Sequence, residues 1–146
     1  KTLDKYLIFS YFRGMTSNQF GCLGEYKFAL ECMSRGYDVS MPLRHSSPYD
    51  LIVDVDSQLY KIQVKSHSGT DEGNRTTVKF LLDIKSRNRE YLESDVDYFA
   101  LYSVHFDAFF IIHYSIVGGM TAVRVSPDNK YGIYLNDYSF TQHTTL

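Results

Sequence analysis

A chain of 146 residues lies within the ~100–200 residues of a single domain, and 44% apolar, 22% charged and 23 aromatic residues (13 Tyr, 10 Phe) exclude a disordered or collagen-like protein. Apolar runs such as Ala108 to Ile112 fall far short of the ~20 residues that cross a bilayer, so no membrane partner is expected. The net charge of −2 argues mildly against a nucleic-acid partner, but it hides a gradient: residues 61–90 are net +3 and the remainder −5, which leaves room for one basic face.

The start of the chain holds a short aromatic stretch, Tyr6-Leu7-Ile8-Phe9, without the longer apolar region and cleavage site of a secretory signal. Met15 offers an internal start. Phe20, Leu23, Leu30 and Met33, with Ala29 beside them, recur at helical steps, and Gly36 follows as a stop, so a helix is expected over about 18–35. Thr16, Ser17 and Asn18 are its candidate N-caps. Cys22 and Cys32 fall ten residues apart in this helix, roughly 15 Å, whereas a disulfide needs Cα atoms within about 7 Å. Both read as free thiols, which fits a reducing cytoplasm.

Beyond Gly36 the pattern shortens. Residues 37–41, 51–55 and 59–64 read as strands, the last two joined by a hairpin turn at Asp56-Ser57-Gln58. A polar loop over 66–76, a strand over 77–82 and a short helix or loop over 85–93 follow. Residues 98–104 and 109–114 are apolar enough for the centre of a sheet. With no internal repeat and no linker, one domain over 1–146 is expected, with a core of about 16–115 and a C-terminal extension of about 116–146. A helix, then a β-meander, then further strands without regular βαβ alternation, indicates α+β or mixed α/β.

The chemistry centres on Asp50 and on Gln63-Val64-Lys65. Alternation in a strand puts Gln63 and Lys65 on one face and Ile62 and Val64 in the core, and the hairpin brings Asp50 to the same end. A carboxylate, an amide oxygen and an ammonium would converge, a grouping suited to metal-assisted phosphodiester hydrolysis. Glu25 follows Gly24 on a helical turn where Gly21 and Gly24 permit close approach, so it could reach the same point. His45, His67, His105, His113 and His143 lack metal-ligand spacing. Ser66 and Ser68 have no base in sequence context, and no phosphate loop or dinucleotide fingerprint appears.

In order along the chain, Gly24-Glu25, Arg35-Gly36-Tyr37, Tyr49-Asp50-Leu51-Ile52-Val53, Ile62-Gln63-Val64-Lys65-Ser66, Asp97 to Tyr102 and Phe109 to Ile112 resemble the PD-(D/E)XK nuclease superfamily. More narrowly, they resemble its cyanobacterial group I intron-encoded homing endonucleases. The resemblance covers roughly residues 16–115 and implies a restriction-endonuclease-like mixed central sheet flanked by helices. It further implies Asp50, Gln63 and Glu25, with the Val64 carbonyl, as ligands of a catalytic Mg²⁺, and Lys65 as the catalytic lysine. Ca²⁺ would support binding without cleavage. Gln63 stands where the family usually has Asp or Glu, which keeps an oxygen ligand but removes a charge.

Under this reading the substrate is double-stranded DNA, and Arg75, Lys79, Lys85, Arg87 and Arg89 are the candidate contacts. One site cuts one strand, so a double-strand break implies a homo-oligomer, a dimer or a dimer of dimers. The alternatives are a catalytically inactive DNA-binding module with the nuclease fold, a restriction endonuclease, and a Holliday-junction resolvase.

Overall fold

A computed structural model describes residues 14–69, 76–84 and 88–142 of the chain. The first helix, α1 (Ser17–Ser34), is fixed at both ends by local chemistry. Thr16 Oγ1 accepts from the Gln19 amide at 3.2 Å and Gln19 Oε1 accepts from the Thr16 amide at 2.9 Å, a reciprocal capping box. At the other end Gly36 takes φ +84°. Its amide donates to Met33 O and that of Tyr37 donates to Cys32 O, closing a Schellman motif that only a residue tolerant of the left-handed region completes without strain.

The buried face of α1 is Phe20, Gly24, Phe28, Ala29 and Cys32, which corrects the expected apolar face. Leu30 and Met33 point outward, 64% and 50% exposed. The helix carries apolar residues nearly all round, so a three- and four-residue periodicity fits either side. Neither cysteine is in a disulfide.

β1 (Asp38–Ser40), β2 (Leu51–Val55) and β3 (Gln58–His67) form an antiparallel meander. The β2–β3 turn has two residues, Asp56 and Ser57, with φ +52° and +70°, the signature of a type I′ turn. Gln58 already pairs with Val55, so it belongs to β3 rather than to the turn. That register places Leu51 opposite Ile62 and hence Asp50 beside Gln63. β7 (Tyr98–Ser103) runs parallel to β3, and β8 (Ala108–His113) returns antiparallel, giving a five-stranded mixed sheet in the order β1-β2-β3-β7-β8. Sheet and helix together make the mixed α+β fold expected.

Both faces of this sheet are covered. Ile62, Val64, Tyr98, Ala100, Phe109 and Ile111 pack on the α1 side, whereas Phe99, Leu101, Phe110 and Ile112 pack on the other. The second layer comes from an unusual source. A parallel β–β connection is normally closed by a helix; here the described residues between β3 and β7, with those after β8, supply a ribbon of β4 (Val78–Leu81) with β9 (Ala122–Val125) and a small pair of β5 (Asp83–Ile84) with β6 (Arg89–Glu90). The strand expected over 77–82 thus lies outside the central sheet, and the segment over 85–93 contains β6 rather than a helix, with 85–87 outside the described residues.

β8 sits at the sheet's edge, not its centre, yet it is buried. Residues 135–142 cover it. Leu135 bridges Phe110, the Asn136 amide donates to Phe109 O at 2.7 Å, and Gln142 donates to Ile111 O at 2.6 Å while accepting from the His113 amide at 2.9 Å. α2 (Tyr114–Val117) is a single turn after β8. No helix among the described residues is long and apolar enough to cross a membrane.

Candidate active site

Asp50, Gln63 and Lys65 line a cleft of about 890 Å³ between the β2–β3 hairpin and the second layer. Asp50 precedes β2, and its amide donates to Ile62 O at 2.8 Å, which extends the ladder by one bond and fixes the carboxylate over β3. Its Oδ2 accepts from the Val64 amide at 2.8 Å and from Gln63 Nε2 at 2.7 Å. The same Nε2 donates to Val64 O at 3.1 Å. An amide NH₂ therefore stands between a carboxylate and a backbone carbonyl, the place in the cluster where an electropositive group is wanted.

Burial pushes the Asp50 carboxyl up to about 6, against the opposing pull of the Val64 amide and the Lys65 charge. Glu25 is raised further, to about 7, by burial and then by the Asp50 charge beside it. Two acids from different elements thus resist ionising together. The contact that brings α1 so close is Gly24: a Cβ there would lie 2.0 Å from Ser66 Oγ and 3.7 Å from Val64 Cγ1. Ser66 Oγ is itself buried with no hydrogen-bond partner.

A divalent cation fits this donor set. Two neighbouring carboxylates with raised pKa values are neutralised by it, and the Gln63 amide can turn to offer Oε1 in place of Nε2. Among the described residues no three Asp, Glu, His or Cys side chains gather as a metal site. A cation here would therefore use the Gln63 and Val64 oxygens as well as Glu25 and Asp50, consistent with a hard ion that accepts amide and carbonyl oxygen.

Lys65 Nζ lies 5.3 Å from the centroid of the Tyr91 ring, on the cleft's far wall. Asp83 lines the same wall, its Oδ1 buried without a hydrogen-bond partner. Of the basic residues expected to meet DNA, Lys79 is exposed on β4 at the cleft, directly across the ribbon from Arg124. Arg89 is held by Asp95 through two bonds, at 2.6 and 3.1 Å. Arg75, Lys85 and Arg87 lie outside the described residues. Tyr91, Asp83 and Arg124 were missed from the sequence. Asp83 lies in a two-residue strand and Tyr91 just after another, so neither has a periodicity to flag it, and Arg124 meets Lys79 only through a pairing of segments 45 residues apart.

The hairpin thus gathers a carboxylate, an amide and a lysine on a mixed sheet, with the Glu25 carboxyl of α1 close enough to feel the Asp50 charge. The family model described as PD-(D/E)XK endonuclease matches residues 15–132, and the chain belongs to that family. Its fold is that of a bacterial homing endonuclease, I-Ssp6803I, with a TM-score of 0.72 over 89% of this chain and 95% of that one, at 17% sequence identity. No curated protein matches.

Proposed function

We propose that the chain is a Mg²⁺-dependent endonuclease that cuts double-stranded DNA at a specific site, acting as an intron-encoded homing endonuclease and assembling as a homo-oligomer with one site per strand. The observation that carries this reading is the convergence of Asp50, Gln63 and Lys65 at a cleft, backed by Glu25 from α1. The similarity to a bacterial homing endonuclease supports the homing role.

In this mechanism Asp50, Glu25, Gln63 Oε1 and the Val64 carbonyl hold the cation. When bound, it supplies positive charge against the scissile phosphate and makes the attacking water more acidic. Asp50 is kept rigid by its bonds to the β3 backbone, so it does not reorganise as charge builds. Lys65 donates an N–H to a phosphate oxygen and stabilises the negative charge that grows as water oxygen bonds phosphorus and the 3′ oxygen leaves. Lys79, Arg89 and Arg124, with Arg75, Lys85 and Arg87, would neutralise the DNA backbone or read bases.

Gln63 favours one second reading, a binding module that has lost catalysis, because its amide nitrogen already satisfies Asp50 and Val64 O. Wild-type protein and Lys65→Met incubated with Mg²⁺ and a random-plus-genomic DNA library separate the two. Recurrent ends made only by the wild type establish the endonuclease. Specific retention of DNA with no new ends selects the binding module, and a preference for four-way junctions would point to a resolvase.

A further inference from the structure

Nothing in the chemistry above uses Tyr91, yet the fold immobilises it against the catalytic lysine. Its carbonyl accepts from the Tyr114 hydroxyl at 3.1 Å, and the amide of the next residue, Leu92, donates to Asp95 Oδ2 at 2.7 Å. Asp95 is held in turn by Arg89 in a two-point ion pair. The Tyr91 ring stands edge-on to Phe99, centroids 5.2 Å apart at 84°, and only 5% of the residue is exposed. These contacts hold the backbone around Tyr91 and one edge of its buried ring, and over the ring lies Lys65 Nζ, 5.3 Å from the centroid.

A lysine carries its ammonium on a flexible four-carbon stem, and holding it in one place costs rotamer entropy. An ammonium within ~6 Å of a ring centroid is drawn to the π face, more strongly where water is excluded. Burial of this phenol, and then the acids Asp50, Asp83 and Asp95 around it, push its pKa upward, so the ring meets the lysine as a neutral phenol. The attraction is therefore to the face of the ring and not to a phenolate oxygen.

We propose that Tyr91 is a positioning residue whose ring face holds the Lys65 ammonium beside Asp50 before DNA arrives. The inference rests on the nuclease reading of the cleft and adds a group from the second layer to a site otherwise built from the hairpin and α1. A displaced lysine leaves DNA affinity unchanged and slows the chemical step, because a misplacement of about 1 Å costs up to roughly 100-fold in rate.

The test compares Tyr91→Leu and Tyr91→Phe by single-turnover cleavage in Mg²⁺, by DNA affinity in Ca²⁺, and by NMR of protein labelled with ¹³C-lysine. Tyr91→Leu is expected to cleave roughly 10- to 100-fold more slowly at unchanged affinity, while Tyr91→Phe, which keeps the ring face, stays within about threefold of wild type. The Lys65 Hε signals should be shifted upfield by the ring in wild type and Tyr91→Phe, and unshifted in Tyr91→Leu. Should Tyr91→Leu fail to fold, Tyr91→Met refills the volume with a flexible side chain and serves the same readouts. An unimpaired Tyr91→Leu, unshifted Lys65 signals in wild type, or equal losses in Leu and Phe variants would overturn the proposal. If wild type cleaves no DNA, the nuclease reading fails by itself, and the lysine spectrum still decides whether the ring holds the ammonium.

Discussion

The two walls of the cleft are built by opposite means. The α1 wall is specified locally: a capping box starts the helix, a Schellman turn ends it, and Gly24 sets its distance from β3. The far wall has strands of two to four residues and depends on contacts between distant segments, such as β4 with β9 and Tyr114 with Tyr91. Local rules thus suffice to place α1, which lends Ser17 and Asn18 to the cleft and carries Glu25 close to Asp50, whereas the residues that shape the rest of the cleft depend on the fold as a whole.

The hairpin between the walls should show the largest effects. Lys65→Met and Asp50→Asn are each expected to lower cleavage by about a thousandfold or more in a gel assay while specific binding in Ca²⁺ persists, since charge stabilisation of this kind is usually the largest catalytic contribution. Normal cleavage by either variant would remove the hairpin from the chemistry.

On the α1 wall, Gly24→Val forces the helix off β3 and should cost about 1–3 kcal/mol of stability in urea unfolding, with a loss of cleavage as Glu25 withdraws. Gly24→Ala should be milder, because the atom it meets most closely is a hydroxyl that can rotate. Ser66→Gly in the same chain should restore most of what Gly24→Ala loses. No rescue would mean that the close approach is not what positions Glu25.

The raised acids make a pH test with a definite sign. Asp50 and Glu25 bind protons more tightly folded, at about 6 and 7, than their ordinary values of 3.8 and 4.5. Between those values the native state holds more protons, so stability should fall as pH rises from about 4 to about 7. Thermal melts of metal-free protein should show this decline. Mg²⁺ or Ca²⁺ should flatten it, since cation binding displaces the protons, and Glu25→Gln should flatten it without metal. A metal-free slope of the opposite sign would contradict the crowding of the two carboxyls.

The smallest effect belongs to Ser66→Ala. It deletes a buried hydroxyl without a hydrogen-bond partner, so stability should hold or rise by up to about 1 kcal/mol. A clear loss would imply that the hydroxyl has a partner in solution.

The hairpin is legible in the sequence, because period-two alternation and a short turn leave little freedom in register, so the spacing alone brings Asp50, Gln63 and Lys65 together. The ends of α1 and the strands β7 and β8 were legible for similar local reasons. The buried side of α1 was not, since Leu30 and Met33 obey the same helical spacing as Phe28 and Cys32 on the opposite face. Nor was the pairing of β5 and β6, where the Arg89–Asp95 ion pair bends a segment whose composition suits a helix equally well. β8 reads as a central strand because its outer edge is capped by residues more than twenty positions later.

That cap has a consequence for how the protein is made. β8 is synthesised before residues 135–142, and at roughly 5–20 residues per second the gap amounts to a few seconds. Until those later residues dock, β8 is an open, apolar edge of the kind that recruits strands from other chains. A chain cut short after residue 134 would keep that edge open permanently, and self-association of such a truncation is the expected result.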